Sequence, residues 1–186
     1  GWRRHAATTR RPGFGTQAPA PALRDAFIAR LDDSVETEQF HRGSEGFDSI
    51  KGDEEDNHID GITGRDTING YGGNDTIQLQ AGEAYGGEGN DTITVNSEGT
   101  TLSASLYGGA GDDTLTGGAN RDGLTGGAGA DTLDGGASAD TAYYTDSSEA
   151  VEIDLATGKG KGGDAEGDTL ISIEGAVGSS KDDKFT

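Results

Sequence analysis

One aliphatic residue recurs every nine positions along most of this chain. The repeating unit is G-x-x-x-x-D-x-U-x, where U is aliphatic, and Ile or Leu holds the U position in eight of nine units. Glycine opens each unit, which permits a tight turn, and a triplet such as "TLT" closes it, which suits a short strand. The nine units cover residues 43–78, 86–94 and 108–143 and are separated by inserts at 79–85 and 95–107.

This period predicts an all-β fold. Two units form one coil of eighteen residues, and successive coils stack as parallel strands about 4.8 Å apart. The aliphatic residue of each unit then points into the coil. We therefore expect a parallel solenoid of nine-residue half-turns over residues 43–143, and the sequence leaves open whether the two inserts continue it.

The segments before the repeats have different patterns. Residues 1–20 are basic and lack periodicity, which predicts a flexible tail or linker. Residues 21–42 contain a short helical pattern that begins near Pro21, followed by a connection. The apolar face of this predicted helix comprises Leu23, Phe27, Ile28, Leu31 and Val35.

The segment after the repeats, residues 144–186, begins with an alternating strand pattern at Val151, Ile153 and Leu155. Two degenerate units follow it, with Asp168 and Asp183 in the acidic place.

Composition and charge narrow the classes of partner. The chain has 34 glycines, no cysteine and a formal net charge of −20. From residue 32 onward, 33 carboxylates face eight basic residues, a charge of about −25. Such a field repels nucleic acid and attracts cations. No apolar run approaches the length of a membrane span. The chain begins with Gly1 and lacks Met, so we expect it to be part of a longer polypeptide; its oligomeric state is open.

The small core and the regularly spaced carboxylates together predict a bound cation. One aliphatic residue per nine is little to bury, and stacking brings carboxylates eighteen residues apart close together, where they repel. Calcium takes six to eight oxygen ligands in flexible geometry, whereas Mg²⁺ demands near-octahedral ligands and gives up water reluctantly. Stacked glycine-rich turns offer carboxylates and open carbonyls, so calcium suits them better.

Three units, "GGEGNDTIT", "GGAGDDTLT" and "GGAGADTLD", match the pattern G-G-x-G-x-D-x-U-x. This pattern resembles the calcium-binding nonapeptide of the RTX (repeats-in-toxin) proteins. The resemblance covers residues 43–143 strongly and 144–186 weakly. It implies a right-handed parallel β-roll with several Ca²⁺ ions bound between turns along the same edge.

The resemblance also implies the ligands. The side-chain ligands are the residues at the sixth place of each unit: Asp48, Asn57, Asp66, Asp75, Asp91, Asp113, Asp122, Asp131 and Asp140. Backbone carbonyls of the turns complete the shells: Gly64, Gly73, Gly87, Gly89, Gly108, Ala110, Gly111, Gly118, Gly127, Gly129 and Gly136.

Sixth-place residues two units apart are expected to share an ion: Asp48 with Asp66, Asn57 with Asp75, Asp113 with Asp131, and Asp122 with Asp140. Asp91 stands between two inserts, and its partner is open. The sites near residues 52–57 and 135–140 depart from the pattern, because Asn57 is neutral and Glu55 and Ser138 replace glycine.

These features predict a calcium-binding module of a secreted bacterial protein, which folds on binding Ca²⁺ after type I export and works outside the cell or on its surface. Two alternatives place the same module as the non-catalytic C-terminal part of a secreted enzyme, such as a protease, lipase or epimerase, or as a spacer of a large adhesin. The sequence contains neither H-E-x-x-H nor G-x-S-x-G. Any catalytic domain would therefore lie outside this chain.

Overall fold

The computed structural model of the chain describes residues 39–186. The predicted basic tail and the helical pattern within residues 21–38 lie outside the described residues. Gln39–Arg42, which the sequence assigns to a connection, forms a strand that pairs in parallel with Asn57–Asp60. The regular part of the fold therefore begins ahead of Gly43.

Nineteen short strands build the described part of the chain. They are β1 (Gln39–Arg42), β2 (Glu45–Gly46), β3 (Ser49–Lys51), β4 (Asn57–Asp60), β5 (Thr63–Gly64), β6 (Asp66–Gly72), β7 (Thr76–Leu79), β8 (Gly82–Glu88), β9 (Thr92–Val95), β10 (Ala104–Ala110), β11 (Thr114–Thr116), β12 (Gly123–Ala128), β13 (Thr132–Asp134), β14 (Thr141–Tyr143), β15 (Glu152–Asp154), β16 (Lys159–Lys161), β17 (Thr169–Ile171), β18 (Gly175–Val177) and β19 (Lys184–Phe185).

The strands form two long sheets that face each other across the core. The ten-stranded sheet has the order β1-β4-β7-β9-β11-β13-β17-β16-β15-β19, and the seven-stranded sheet has the order β18-β14-β12-β10-β8-β6-β3. The chain alternates between the two sheets, and β2 and β5 pair at a turn between them. This is a parallel β-roll of about six turns, which confirms the predicted fold class.

The strand register follows the repeat. Strand β11 pairs with β13 so that Leu115 lies beside Leu133, eighteen residues further along the chain. The same offset aligns Ile59 with Ile77 between β4 and β7. Two units therefore complete one coil, and equivalent residues form ladders along the roll.

The eighth-place residues form the core. All nine are buried: Ile50, Ile59, Ile68, Ile77, Ile93, Leu115, Leu124, Leu133 and Ala142. They point inward because side chains alternate along a strand, which places the flanking seventh and ninth positions on the outer face. Each fully buried Ile or Leu contributes roughly 1.5–3 kcal/mol.

Both inserts continue the coil. Ala84 pairs with Ile68 and with Leu106, and Leu106 pairs with Leu124, so the two insert residues extend one core ladder without a break. The first insert shortens its coil, since Asp75 and Asp91 are 16 residues apart. The second lengthens its coil and places Asp113 22 residues after Asp91.

The last segment adds two further strands to the roll and then changes topology. Strand β17 pairs in parallel with β13, and β18 pairs with β14. Strand β16 runs antiparallel between β15 and β17, and β19 pairs with β15. The only helix among residues 39–186 is the 3-10 turn Gly163–Ala165. No helix in this described part is long and apolar enough to cross a membrane.

Candidate functional site

The sixth-place residues, together with the residues aligned with them, stack into two ladders, one along the N-terminal ends of the strands of each long sheet. The first ladder precedes strands of the ten-stranded sheet and contains Asn57, Asp75, Asp91, Asp113, Asp131 and Asp168. The second ladder precedes strands of the seven-stranded sheet and contains Asp48, Asp66, Gly82, Ala104, Asp122, Asp140 and Glu174.

The four pairs expected from the sequence are each neighbours in a ladder. Asp91 lies between Asp75 and Asp113, so the first ladder runs unbroken past both inserts. The second ladder is interrupted, because the inserts place Gly82 and Ala104 in the acidic position. The two edges of the roll therefore differ in carboxylate density.

One oxygen of each carboxylate after the first residue of a ladder holds two turns together. The backbone N–H of a sixth-place residue donates to Oδ1 of the sixth-place Asp one coil further on. For example, Asp91 N–H donates to Asp113 Oδ1 at 2.7 Å, and Asp113 N–H donates to Asp131 Oδ1 at 2.9 Å. These bonds fix the orientation of each carboxyl group.

The second oxygen of most of these carboxyl groups is buried and has no hydrogen-bond donor. This holds for Oδ2 of seven residues: Asp66, Asp75, Asp91, Asp113, Asp122, Asp131 and Asp140. A buried carboxylate oxygen without a partner is costly unless a cation balances it. Seven repetitions of the same orphaned atom at equivalent positions indicate a common ligand.

Burial changes the proton affinity of the ladder. Desolvation raises the pKa of Asp113 and of Asp131 to about 7, against the partly compensating N–H bond from the previous coil. The same cause raises the pKa of Asp66, Asp75 and Asp122 to about 6, and it also raises the pKa of Asp91 and Asp140. Without a compensating cation, the ladder carboxyl groups therefore ionise at a higher pH than ordinary aspartates do.

The glycine that opens each unit has no Cβ, which lets the second oxygen of the sixth-place side chain approach its backbone closely. A methyl group on Gly117 would lie 2.9 Å from Asp122 Oδ2 and 2.8 Å from the carbonyl oxygen of Gly135 in the next coil. Six first-place carbonyls approach a first-place glycine of the preceding coil together with the sixth-place side chain of that coil: Gly61, Gly70, Gly86, Gly108, Gly126 and Gly135. Two turns thus each contribute an oxygen to the same small volume.

The carbonyls expected as ligands fall into three groups. Gly108 is one of the six that face a ladder side chain. Nine others belong to glycines with φ between 87° and 149°, which pack against the preceding coil: Gly64, Gly73, Gly87, Gly89, Gly111, Gly118, Gly127, Gly129 and Gly136. The Ala110 carbonyl accepts a hydrogen bond from Gly89 N–H at 2.8 Å.

The other five first-place carbonyls were not among the expected ligands. The sequence does contain a sign of these positions, because glycine opens all nine units. None of these nine glycines has a positive φ, so backbone conformation does not explain the glycine.

The first residue of each ladder differs from those that follow. The Asn57 amide bonds within its own turn, donating to the Glu55 carbonyl at 2.7 Å and accepting from Asp53 N–H at 2.9 Å. Asp48 Oδ2 accepts from Ser44 N–H at 2.7 Å. Both side chains therefore already have local partners.

Asp168 closes the first ladder in a different manner. Its Oδ1 accepts from Asp131 N–H at 2.9 Å, as in the other rungs, but its Oδ2 accepts from the Tyr144 hydroxyl at 2.8 Å. Burial raises the pKa of Tyr144, which keeps the phenol protonated and able to donate. The Tyr144 hydroxyl thus bonds the oxygen of Asp168 that corresponds to the Oδ2 atoms without a donor in the other rungs.

A separate ladder lies at the fifth place of the units. Asn90 N–H donates to Asn74 Oδ1 at 2.8 Å, and Asp112 N–H donates to Asn90 Oδ1 at 2.8 Å. Ala130 N–H continues the series to Asp112 Oδ1 at 2.9 Å. These exposed side chains tie turns together with no buried charge.

The donor set fits calcium. Within residues 39–186 no group of three His, Cys, Asp or Glu side chains could hold a metal ion, so side chains alone do not complete a site there. Carboxylate and carbonyl oxygens together are the hard ligands that Ca²⁺ prefers, whereas zinc favours His and Cys.

The family profile described as the RTX calcium-binding nonapeptide repeat matches this chain in four copies, over residues 42–77, 56–83, 84–97 and 107–142. Neither the curated proteins nor the solved structures gave a significant match.

Proposed function

Because the chain belongs to the family of RTX calcium-binding nonapeptide repeats through residues 42–142, we propose that its two ladders bind several calcium ions between successive turns. The repeat region is a structural calcium-binding module. The main support for placing the calcium sites along the ladders is the row of buried Oδ2 atoms that have no hydrogen-bond donor.

The proposed side-chain ligands are the seven carboxylates that present these atoms. For four of them, Asp75, Asp91, Asp113 and Asp122, a first-place carbonyl of the next coil approaches the same glycine as the carboxylate does. The carbonyls of the glycine-rich turns complete the shells. Bound calcium supplies the positive charge that neutralises the ladder and links one turn to the next. We expect weaker sites at Asp48 and Asn57, because local donors already bind these two side chains.

Calcium binding is proposed to control folding. A preformed site does not exist in the unfolded chain, so the binding free energy becomes folding free energy. Extracellular calcium modules typically have dissociation constants of about 10⁻⁴–10⁻³ M. At such affinities the module stays unfolded in the cytoplasm and folds outside the cell, which suits a bacterial protein exported by type I secretion.

The parent polypeptide sets the wider role. The module serves either as a non-catalytic part of a secreted enzyme or as a spacer of a large adhesin. A catalytic domain in the parent would distinguish the first case from the second.

The folding proposal is tested by circular dichroism and hydrodynamic radius during a calcium titration, followed by reversal with chelator. We expect β-sheet signal to rise and the radius to fall with calcium, and magnesium at the same concentration to have much less effect. A chain that is equally compact and β-rich in excess chelator would contradict the folding switch. Isothermal titration calorimetry would then still decide whether calcium binds.

A further inference from the structure

Several departures from the repeat meet on the outer face of the seven-stranded sheet. The two inserts supply Tyr85 on β8 and Tyr107 on β10, which are direct register partners. Tyr143 ends β14, on the far side of β12. In repeat proteins, insertions map to one face, which is often the binding face. The calcium ladders give no reason for a tyrosine at these positions.

The face contains a groove of about 710 Å³ that lies between Tyr107 and Tyr143. A second groove of about 330 Å³ adjoins it and shares these two tyrosines and Thr125. Strand β12 forms the floor and presents only Gly123 and Thr125 to the first groove. Tyr107 and Tyr143 lie on strands two steps apart, a separation of about 10 Å between the strands.

Stacking orients one wall of the groove. The rings of Tyr85 and Tyr107 are 4.6 Å apart and inclined by 5°, so one face of Tyr107 is covered. Because β12 lies on the opposite side of β10 from β8, the other face of Tyr107 is directed toward the groove. A flat, rigid aromatic surface of this kind supplies contact area at low entropic cost.

Gly123 makes room for the other wall. The equivalent position of most units is Thr, and glycine in a strand weakens it. A Cβ at Gly123 would lie 3.1 Å from Tyr143 Cε2, which is closer than ordinary contact. The glycine therefore allows the Tyr143 ring to lie over β12, and this contact accounts for a residue that breaks the repeat.

The remaining lining is rich in hydroxyl groups and has a small excess of negative charge. Ser105, Thr125 and Thr141 line the first groove, and its charged lining residues are one basic, Arg121, and two acidic, Asp122 and Asp146. The chain as a whole carries a net charge of −20, which disfavours polyanions.

We propose that this groove binds an uncharged saccharide, with sugar rings packed on Tyr107 and Tyr143 and their hydroxyls bonded to the Ser and Thr side chains. The C–H face of a pyranose suits the negative face of an aromatic ring. The site goes beyond calcium binding and requires only that the roll be folded.

The test is isothermal titration calorimetry at saturating calcium with four neutral hexasaccharides: maltohexaose, cellohexaose, mannohexaose and chitohexaose. A galacturonic acid hexamer is the anionic comparison. We expect at least one neutral hexasaccharide to bind, Tyr143→Ala to weaken it about tenfold or more, and Tyr143→Phe to retain most of the affinity. Tyr71→Ala is the matched control, because Tyr71 is an exposed tyrosine of the same sheet outside the groove.

Circular dichroism of each variant during a calcium titration distinguishes the saccharide proposal from the calcium proposal. The groove variants should fold at the same calcium concentration as the original protein. If Tyr143→Ala does not fold, Gly123→Thr restores the repeat and should weaken binding by displacing the ring. The proposal is overturned if no neutral hexasaccharide binds the folded protein, if only the anionic hexamer binds, or if the variants bind like the original. Self-association abolished by Tyr143→Ala, measured by sedimentation, would likewise overturn it by assigning the face to a second copy.

Discussion

Replacing Asp113 by Asn is expected to have opposite effects with and without calcium. The Asp113 side chain is buried, its Oδ1 accepts from Asp91 N–H, and its Oδ2 has no donor. Asparagine keeps the Oδ1 acceptor and removes the charge. The substitution therefore removes a cost from the calcium-free roll and a charged ligand from the proposed site.

The size of the first effect follows from the pKa. Burial raises the pKa of Asp113 from an ordinary 3.8 to about 7. Each unit corresponds to about 1.36 kcal/mol, so ionised Asp113 costs the calcium-free fold up to roughly 4 kcal/mol. Between the two pKa values the folded state binds more protons than the unfolded state, and its stability falls as pH rises. Asp113→Asn should thus stabilise the chelated roll at about pH 8 and change it little near pH 4.

Bound calcium reverses the effect of Asp113→Asn on the stability of the roll. With the ion bound, the charge of Asp113 is compensated, and asparagine replaces a carboxylate ligand by a neutral oxygen. We expect the calcium midpoint of folding to rise and the stability at fixed calcium to fall by about 1.4 kcal/mol or more, a tenfold change in affinity.

The assay is urea unfolding followed by circular dichroism, in chelator and in saturating calcium, at about pH 8 and pH 4. An excluded osmolyte brings the chelated protein into the measurable range. Asp112→Asn is the matched control, because Asp112 is exposed and its Oδ1 acceptor for Ala130 N–H survives the change. It should leave both stabilities nearly unchanged.

Two results would refute this reasoning. One is a loss of stability in chelator at the higher pH for Asp113→Asn, which would mean that its charge does not oppose folding. The other is an equal response of Asp112→Asn and Asp113→Asn to calcium, which would mean that the buried ladder has no special role.

Three further predictions concern other parts of the same structure. Tyr144→Phe leaves Asp168 Oδ2 without its donor and should lower the free energy of unfolding by about 1–3 kcal/mol; thermal unfolding with no change in midpoint would contradict it. Ile62 is a β-branched residue with φ of 67°, a strained conformation. Ile62→Gly should therefore raise the free energy of unfolding by about 1 kcal/mol. A lower melting temperature of this variant would count against backbone strain at residue 62. Because the pKa of Asp131 is raised to about 7, protons should compete with calcium below that pH; a calcium midpoint that stays constant between about pH 8 and pH 5 would argue against carboxylate ligands.

The sequence predicted the solenoid because one residue, the eighth-place aliphatic, has a strict structural role. A side chain such as Leu115 must face inward once in every half-turn, and the period records this requirement directly. The inserts carry no such period. Ala84 and Leu106 continue the core ladder only because stacking on neighbouring strands fixes their register, and this information is not local in the chain.

The candidate site was predictable to a similar extent. The spacing of eighteen residues brought Asp113 beside Asp131 and Asp122 beside Asp140, although their roles as ligands stay predictions. Of the six first-place carbonyls, only that of Gly108 was among the predicted ligands, because the direction of a carbonyl depends on the backbone of the turn. The Tyr144 contact with Asp168 joins residues 24 apart outside the regular repeat, so periodicity gave no sign of it.

The most direct test of the account is the calcium anomalous signal from crystals of this protein grown with calcium. We expect peaks between successive carboxylates of the first ladder, such as Asp91, Asp113 and Asp131, each within about 2.3–2.6 Å of an Oδ2 atom. Fewer or weaker peaks should occur along the second ladder, where Gly82 and Ala104 interrupt it. A folded roll with calcium in the crystal but no anomalous peak beside any of these Oδ2 atoms would contradict the account.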